Sequence, residues 1–180
     1  IYINDEYSYD RFHAKADRIY RLTEFIEQEG SGERSSSVPF PVGTTLLEDY
    51  GSLIENQVRL FNFQSPTILI SEEQSEKEFN ETGVYFADST FFDVFDYEVI
   101  KGDKNTALDK PNSILITARA AKKYFGGQDP IGKFLKIQNQ AQLMVTAVMP
   151  DPPRNAHFDF DFLISFSTLR TFFNGQYPDN

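Results

Sequence analysis

Residues 118–137, ARAAKKYFGGQDPIGKFLKI, carry in this order the patterns of a helix, a turn and a strand. Ala118–Phe125 has helical periodicity that ends at Gly126, and 133–137 has the pattern of a strand. The turn contains GQDPIGK, residues 127–133, which matches the G-x-x-x-x-G-K spacing of a phosphate-binding loop. The order of the flanking elements therefore decides what this segment is.

The flanks of this turn are reversed relative to a P-loop. A P-loop follows a strand and opens a helix, so that backbone N–H groups hold the phosphates, and a hydroxyl after the lysine holds Mg²⁺. Here Phe134 follows Lys133, and Pro130 has no N–H to donate. We therefore predict no nucleotide or other cofactor site. We predict a structural role for this turn, which joins the helix to a strand of a sheet. The residues of the joint are Gly127, Pro130, Ile131, Gly132 and Lys133.

The composition limits the classes of function. With 40% hydrophobic residues, 18 Phe and 9 Tyr, the 180-residue chain can bury one sizeable core or two small lobes. Its formal charge of −10 repels a phosphate backbone, so we expect no nucleic-acid partner. The chain has no cysteine, which excludes disulfides, thiolate zinc sites and cysteine nucleophiles. No apolar stretch approaches the roughly 18 residues of a membrane helix.

The N-terminal third has the pattern of a β-α-β unit. A short helix is predicted over 5–16 and a strand over 18–27, and the charged, Gly/Ser-rich segment 29–37 should be an exposed, mobile loop. A helix begins near Pro41, and a strand follows over 54–63. A crossover helix between two strands favours a layered α+β fold.

The middle of the chain is rich in short strands. They are predicted over 67–71, 77–79, 84–87, 97–101, 113–116, 133–137 and 143–149. The last two form a hairpin across 139–140, and Thr117 is placed to cap the helix that follows it. After the proline-rich connector 150–154, Phe alternates with other residues over 158–166, which predicts a strand. We interpret 67–149 as a lobe inserted into a β-α-β scaffold.

One face of the strand predicted over 158–166 carries candidate metal ligands. The alternation places His157, Asp159 and Asp161 on one face, about 7 Å apart per step. Two carboxylates and an imidazole can bind a divalent metal, but a site generally needs about four ligands. Polar residues opposite a row of Phe are also the default pattern of a half-buried strand. We therefore expect no metal site. The only candidate ligands are His157, Asp159 and Asp161.

The sequence contains no recognisable catalytic constellation. A G-x-S-x-G motif is absent, and the serines at 35–37 lie in the segment expected to be mobile. His13 lies beside Phe12 and close to Tyr20, which favours a packed, hydrogen-bonded histidine over a catalytic one. The cluster FFDVF at 91–95 fits either a lobe core or an exposed docking patch, and its helical spacing favours core. We predict no catalytic residue.

Several spaced motifs together resemble one family. They are Tyr9-Asp10-Arg11-Phe12-His13, Ala16-Asp17-Arg18-Ile19-Tyr20-Arg21, Phe86-Ala87-Asp88 with Phe91-Phe92, Asn112-Ser113-Ile114, the helix Ala118–Phe125, Gly127-x-x-Pro130-Ile131-Gly132-Lys133, and Pro152-Pro153 before His157-Phe158. In this order they resemble the extracytoplasmic core domain of MacB/FtsX-type ABC transporter permeases. The resemblance covers nearly the whole chain, and the combination is more specific than any single motif.

The resemblance implies a domain held outside the cytoplasmic membrane, between the first and second membrane helices of a permease. It implies the end of a membrane-helix stalk and a short helix over 1–16, a porter-like β-α-β lobe over 17–66 and 156–180, and an inserted strand-rich α+β lobe over 67–155. A complete domain would add another strand and helix after 158–166. We therefore expect the porter-like lobe to be incomplete at its C-terminus.

The function implied by the resemblance is not enzymatic. The domain would couple ATP-driven motion of membrane helices to an external substrate or partner, on the periplasmic side of the cell inner membrane. Its partners would be its own permease helices, a cytoplasmic ATPase subunit and a periplasmic partner or substrate. The alternative is a module that senses or captures a peptide, lipoprotein or lipid-like ligand. A third hypothesis is a metal-dependent hydrolase using His157, Asp159 and Asp161, which also requires an open metal position and a base.

Overall fold

The protein is described from a computed structural model, which covers residues 9–28, 31–63, 67–72 and 77–173. Residues 1–8, where the predicted membrane-helix stalk ends, and the chain end at 174–180 lie outside the described residues. Within the described ranges, no helix is long and apolar enough to cross a membrane.

The described residues form a mainly β structure with few helices. The strands are β1 Glu24–Gln28, β2 Ser31–Ser35, β3 Leu60–Phe61, β4 Ile68–Glu72, β5 Glu78–Glu81, β6 Val84–Ala87, β7 Lys101–Gly102, β8 Ser113–Thr117, β9 Phe134–Ile137, β10 Ala141–Met149 and β11 Phe162–Ser165. The helices are α1 Pro41–Tyr50, α2 Phe91–Val94, α3 Ala118–Phe125 and α4 Leu169–Phe172, with 3-10 turns at Ala16–Arg18 and Phe166–Thr168. The predicted α+β class is confirmed.

One large mixed sheet organises the fold. Its strand order is β3-β6-β11-β8-β10-β9-β4-β5, and β7 pairs with β10 beside this path, which makes a nine-stranded sheet among the described residues. The pairs β6–β11 and β8–β10 are parallel, and the other pairs in the sheet are antiparallel. The hairpin β1–β2 forms a separate two-stranded sheet.

The central strands β8 and β11 are covered on both faces, since every residue in them is buried. Ile114 and Ile116 belong to one apolar cluster, which includes residues of α3, and Leu115 belongs to a second, which includes Phe91 of α2. Successive residues of a strand point to opposite faces. The helices α3 and α2 therefore cover opposite faces of the sheet, as continuous apolar strands require.

The aromatic segment at 91–95 contributes to this core. The side chains of Phe91 and Phe95 are buried, and their ring centroids lie 5.1 Å apart. The Phe91 ring also contacts Phe160 edge-on at 6.0 Å. The interpretation of this segment as core is confirmed.

Two predicted local features are also confirmed. In the β9–β10 hairpin the turn residues Gln138 and Asn139 both have positive φ, of 49° and 54°, as tight hairpin turns require. At the start of α3, Thr117 Oγ1 accepts the N–H of Ala120 at 3.2 Å. This contact is an N-cap.

The N-terminal hairpin differs from the prediction. The strand predicted from residue 18 begins at Glu24, and the predicted mobile loop contains β2, which pairs antiparallel with β1. The Phe25 ring lies so close over Gly32 that a Cβ at position 32 would collide with it. A ring covering a strand glycine in this way supports the pairing. The loop prediction was therefore wrong over 31–35.

The strands on either side of α1 belong to different sheets. β1 pairs with β2, whereas β3, the only part of the strand predicted over 54–63 that forms a ladder, pairs with β6 of the large sheet. Strands from both predicted lobes lie side by side in that sheet, because β6 from 67–155 is flanked by β3 and β11. The division of the chain into two lobes stays a prediction.

Two other predicted strands are shorter than expected. Of 97–101, only Lys101 extends into β7, and of 158–166, only the residues of β11 form a ladder. The N–H groups of Asp161 and Phe162 both donate to the carbonyl oxygen of Gly83, at 2.8 and 3.0 Å. Because one carbonyl serves two successive donors, regular pairing starts only at Phe162.

The segment between α3 and β9 has the geometry of a joint. The helix ends at Gly126, and β9 follows after the predicted turn. Gly132 has a φ of 78°, and its N–H donates to the carbonyl oxygen of Val145 at 2.9 Å, which places the turn beside β10. The order of helix, turn and strand is the predicted one and the reverse of a P-loop.

Replacing Gly132 with Val should lower stability by about 1–3 kcal/mol, because a β-branched residue is strained at this φ. No atom lies within 4 Å of a Cβ built at position 132, so backbone strain would be the cause. Gly127→Val is the matched control, since it has equally open surroundings without positive φ. Urea unfolding measures both variants, and equal losses would show that the joint does not depend on Gly132.

Candidate functional site: the anchor of the N-terminal segment

Asp10 ties the beginning of the described chain to residues just after the proline-rich stretch 150–154, and 150–157 is called the connector from here on. Its backbone N–H donates to the carbonyl oxygen of Asn155 at 2.9 Å, and its Oδ1 accepts the N–H of His157 at 2.8 Å. Asp10 has a φ of 58°, which Asp and Asn tolerate better than most other residues with a Cβ. These two bonds hold the N-terminal segment against residues far away in the sequence.

The segment around Asp10 forms turns instead of the predicted helix. The N–H of His13 donates to the carbonyl oxygen of Asp10 at 3.2 Å, and a 3-10 turn follows at Ala16–Arg18. A positive φ at Asp10 is incompatible with a right-handed helix passing through it. The helix prediction was wrong for 9–15, and the rest of it lies outside the described residues or in the 3-10 turn.

His13 makes a second attachment, to the loop after α2. Its side chain is 4% exposed, and its Nδ1 accepts the N–H of Asp96 at 3.0 Å. In return, the Asp96 carboxylate accepts the N–H of Ala14 at 2.8 Å. The two residues therefore bond each other's segments reciprocally, and the prediction of a packed, hydrogen-bonded His13 is confirmed.

Aromatic rings enclose the imidazole of His13. The ring centroid lies 4.0 Å from that of Phe12 and 5.3 Å from those of Phe95 and Tyr97. Burial lowers the pKa of His13, against the opposing influence of the carboxylates of Asp10 and Asp96. Burial also raises the pKa of Tyr97, and the negative charge of Asp10 adds to this shift. The site is an apolar aromatic box with a neutral imidazole in it.

The candidate metal ligands Asp159 and Asp161 contact a guanidinium group. Arg119 Nη2 donates to Asp159 Oδ1 at 2.6 Å, and Arg119 Nε donates to Asp161 Oδ1. Burial lowers the pKa of Arg119, but its hydrogen bonds to the two carboxylates raise it by more. The cation that these carboxylates hold in this structure is therefore an arginine side chain.

Arg119 also belongs to a polar network at the start of α3. Thr117 Oγ1 donates to Asp161 Oδ1 at 2.6 Å, and the Arg119 N–H donates to Asp151 Oδ1 at 2.8 Å. Negative charge at a helix N-terminus is stabilising. The network fixes the segment that leads into β11 against the helix that covers it.

The third candidate ligand, His157, is tied down through its backbone. Its N–H donates to Asp10, and its ring contacts Phe158 edge-on, with centroids 5.5 Å apart. Among the described residues, no group of three or more His, Cys, Asp or Glu side chains is arranged to hold a metal ion. The three candidate ligands thus make two different contacts. His157 binds Asp10, whereas Asp159 and Asp161 bind Arg119.

The lysine of the P-loop-like spacing also has local partners. Lys133 Nζ donates to Gln128 Oε1 and lies 5.3 Å from the centre of the Phe125 ring. Near Gln128, Ile131 N–H donates to Asp129 Oδ1 at 3.2 Å. These contacts stay within the turn and the end of α3, in agreement with a structural role.

A family model supplies the identification that the motifs suggested. The model for the MacB-like periplasmic core domain matches residues 1–179. The chain belongs to this family. The resemblance read from the sequence motifs is therefore confirmed. The chain is the periplasmic core domain of a MacB-like ABC transporter permease. No curated protein sequence gives a significant match.

Three solved structures of domains are similar to this chain. A domain of a proposed permease protein from Porphyromonas gingivalis is 25% identical, with a TM-score of 0.51 over 61% of this chain and 48% of that one. The extracellular domain of the noncanonic ABC-type transporter YknZ from Gram-positive bacteria is 22% identical, with a TM-score of 0.47 over 60% of this chain and 54% of that one. The periplasmic region of MacB from Actinobacillus actinomycetemcomitans is 17% identical, with a TM-score of 0.48 over 68% of this chain and 56% of that one.

The MacB-like domain spans about half the length of the solved structures that it matches, at 48%, 54% and 56% of them.

The residues that hold the N-terminal anchor were only partly visible from the sequence. Asp10 and His13 lie in a motif that carries the family resemblance, whereas Asp96 lies outside these motifs and had only a weak signal. An acidic residue just after an aromatic helix was the one available hint, and it also fits a solvated turn.

Arg119→Gln should lower the free energy of unfolding of the MacB-like domain by about 1–2 kcal/mol, since half-exposed charged hydrogen bonds are worth about this much. Lys122→Gln is the control, because it removes the same charge from an exposed position of α3. Urea unfolding measures both. An Arg119 variant as stable as the Lys122 variant would contradict a stabilising role for the contacts of Arg119 with Asp159 and Asp161.

Asp10 offers a matched pair of variants for the anchor. Asp10→Gly accepts the positive φ but removes the carboxylate, whereas Asp10→Asn keeps an oxygen acceptor for the His157 N–H. We expect the His157 amide to exchange with D₂O about tenfold faster or more in the Gly variant, as loss of a charged hydrogen bond implies. The Asn variant should exchange at nearly the original rate. Equal exchange in both variants would refute the role of the side-chain oxygen as acceptor of the His157 N–H.

Proposed function

We propose that this MacB-like domain is a non-enzymatic coupling element of its permease. It passes ATP-driven motion of the membrane helices to a substrate or partner on the periplasmic side of the cell inner membrane. A cytoplasmic ATPase subunit hydrolyses the ATP, and the domain itself binds no cofactor. Family membership supports the setting, and the N-terminal anchor is the observation that carries the mechanism.

The anchor supports coupling because it joins the N-terminal segment to two separate parts of the fold. Asp10 binds the connector at Asn155 and His157, and His13 binds the loop at Asp96. An N-terminal segment held at one point could pivot about that point. Two attachments remove this freedom, so a displacement of the segment moves the folded domain with it.

The connector side of the anchor continues into the centre of the sheet. From His157 the chain passes Asp159 and Asp161, both held by Arg119, and enters β11 at Phe162. β11 pairs with β6 and β8 and is buried along its whole length. A pull on Asp10 is therefore resisted by a strand that is buried along its whole length and paired on both sides, which suits the domain to rigid-body motion.

The metal-dependent hydrolase has less support than the coupling role. Two of its three proposed ligands, Asp159 and Asp161, bind Arg119, and the third, His157, contacts Asp10 through its backbone. A hydrolytic metal needs several protein ligands and an open position for water. The contacts of these residues favour a structural role.

Ligand capture is the alternative function, and one candidate site for it is a cavity beside Arg59. The cavity holds about 210 Å³ and is lined by Arg59, Asp88, Leu108, Ser165 and Phe166, among others. Arg59 and Asp88 in this lining form an ion pair at 2.8 Å. This volume is below the roughly 300 Å³ of small-molecule sites. The cavity therefore favours coupling over capture of a large lipid-like ligand.

The proposal predicts that the anchor transmits a nucleotide-dependent movement. The experiment uses the complete transporter in lipid vesicles, with a spin label at Glu98, an exposed position two residues after Asp96. The distance from this label to headgroup-labelled lipid should change when ATP binds. Asp10→Gly should reduce this change while ATP hydrolysis continues, because it removes the hydrogen bond to His157. The coupling free energy between two such sites is typically about 1–3 kcal/mol, so loss of one bond is a large part of it.

Asp10→Asn is the control and should retain the response to ATP, since it keeps the acceptor for the His157 N–H. A Glu98 label that does not respond to ATP in the unaltered transporter would rule out the coupling function. A response that survives equally in both Asp10 variants would mean that motion reaches the domain by another route.

A further inference from the structure

We propose that the N-terminal anchor is pH-sensitive, and that protonation of His13 releases the N-terminal segment from the loop that carries Asp96. The biological consequence is weaker coupling of the domain to its membrane helix in acid, because only the Asp10 attachment would then hold the segment, and this consequence rests on the proposed coupling function. The release itself is a property of this chain and can be measured without any transport.

The hydrogen-bond geometry supplies the argument. His13 Nδ1 lies 3.0 Å from the backbone nitrogen of Asp96, and a backbone nitrogen can only donate. Nδ1 must therefore be the unprotonated acceptor, with the ring proton on Nε2. A doubly protonated imidazolium has N–H groups at both positions. Two donors would then face each other at Nδ1, and the bond to Asp96 would be lost.

The surroundings of the ring also oppose a charge. His13 is 4% exposed, and the rings nearest to it are Phe12, Phe95 and Tyr97. Burying a charge among apolar groups is costly unless a partner compensates it. In the released state the imidazole reaches water, where either protonation state is well solvated.

Two carboxylates face the ring and act in the opposite direction. Asp10 lies on the same segment and Asp96 on the loop, and both favour the protonated imidazole. The Asp10 carboxylate already accepts the N–H of His157 on the connector, and the Asp96 carboxylate accepts the N–H of Ala14. Tyr97 stays neutral, because its pKa is raised. Burial is the largest influence on His13, and its pKa is lowered overall.

The direction of the pH effect follows from linkage. The released histidine has a pKa of about 6.5, and the anchored one a lower value. The anchor is therefore at full strength above about pH 6.5 and weakens as the pH falls towards the lowered pKa. Within this window the ratio of released to anchored segments rises by up to about tenfold for each pH unit, as binding of one proton requires.

Spin labels can report the release directly. The chain has no cysteine, so cysteines introduced at Tyr9 and Glu98 are the only labelling sites, and both positions are exposed. In the 180-residue chain we expect a single distance at about pH 8 and a growing population of longer distances towards about pH 5, on either side of the histidine pKa. A distance distribution that does not change over this range would overturn the proposal.

Two variants separate His13 from other titrating groups. His13→Asn places an amide oxygen near the position of Nδ1, where it can accept the Asp96 N–H without titrating, and should remove the pH dependence. His157→Gln removes the other histidine of the chain and should leave it intact. A pH dependence that persists in His13→Asn would contradict the assignment.

A second measurement needs no variant at His13. Side-chain NMR titration resolves the two histidines of the unlabelled chain, and His13 should titrate below about pH 6.5. The amide resonances of Ala14 and Asp96 should shift with the same midpoint. A His13 pKa at or above this value would refute the inference, whereas failure of the ATP-dependent Glu98 response would affect only the coupling function.

Discussion

The antiparallel pairing of β8 with β11, buried on both faces, is the constraint on which the rest of the structure depends. Their apolar side chains are divided between the two clusters, so α3 must cover one face and α2 the other. A buried strand must pair all its backbone donors and acceptors. The parallel partners β6 and β10 meet this requirement and extend the sheet to both edges.

The polar segment that precedes β11 turns this packed centre into a mechanical attachment. Buried strands cannot carry exposed charged contacts, so the connections to other parts of the chain lie just outside the ladder. There Arg119 holds Asp159 and Asp161, and the backbone of His157 binds Asp10. The candidate metal ligands and the residue that Asp10 binds are thus parts of one continuous segment, 157–161, and each of the three has a structural contact.

Elements with strong local signals were predicted well. The helix at Ala118–Phe125, its Thr117 cap, the β9–β10 hairpin and the buried aromatic segment depend on residues close together in the sequence. Predictions failed where distant contacts override local preference. Gly and Ser at 31–35 suggested a loop, but pairing with β1 and the ring of Phe25 over Gly32 stabilise a strand.

The candidate site was predicted only in part. The sequence indicated that His13 is packed and that His157, Asp159 and Asp161 share a polar pattern, but it gave no partner for any of them. Hydrogen bonds between residues 40 or more positions apart cannot be read from periodicity, which reports only the local backbone.

By itself, the sequence determined the α+β class, the family and the reversed flanks of the G-x-x-x-x-G-K turn, because these depend on the order and spacing of residues along the chain. Only the tertiary structure decided that Arg119 is the cation between two aspartates and that His13 accepts a bond from Asp96. Burial and bond direction fix the charge and the protonation state of such groups, and both exist only once the chain is folded.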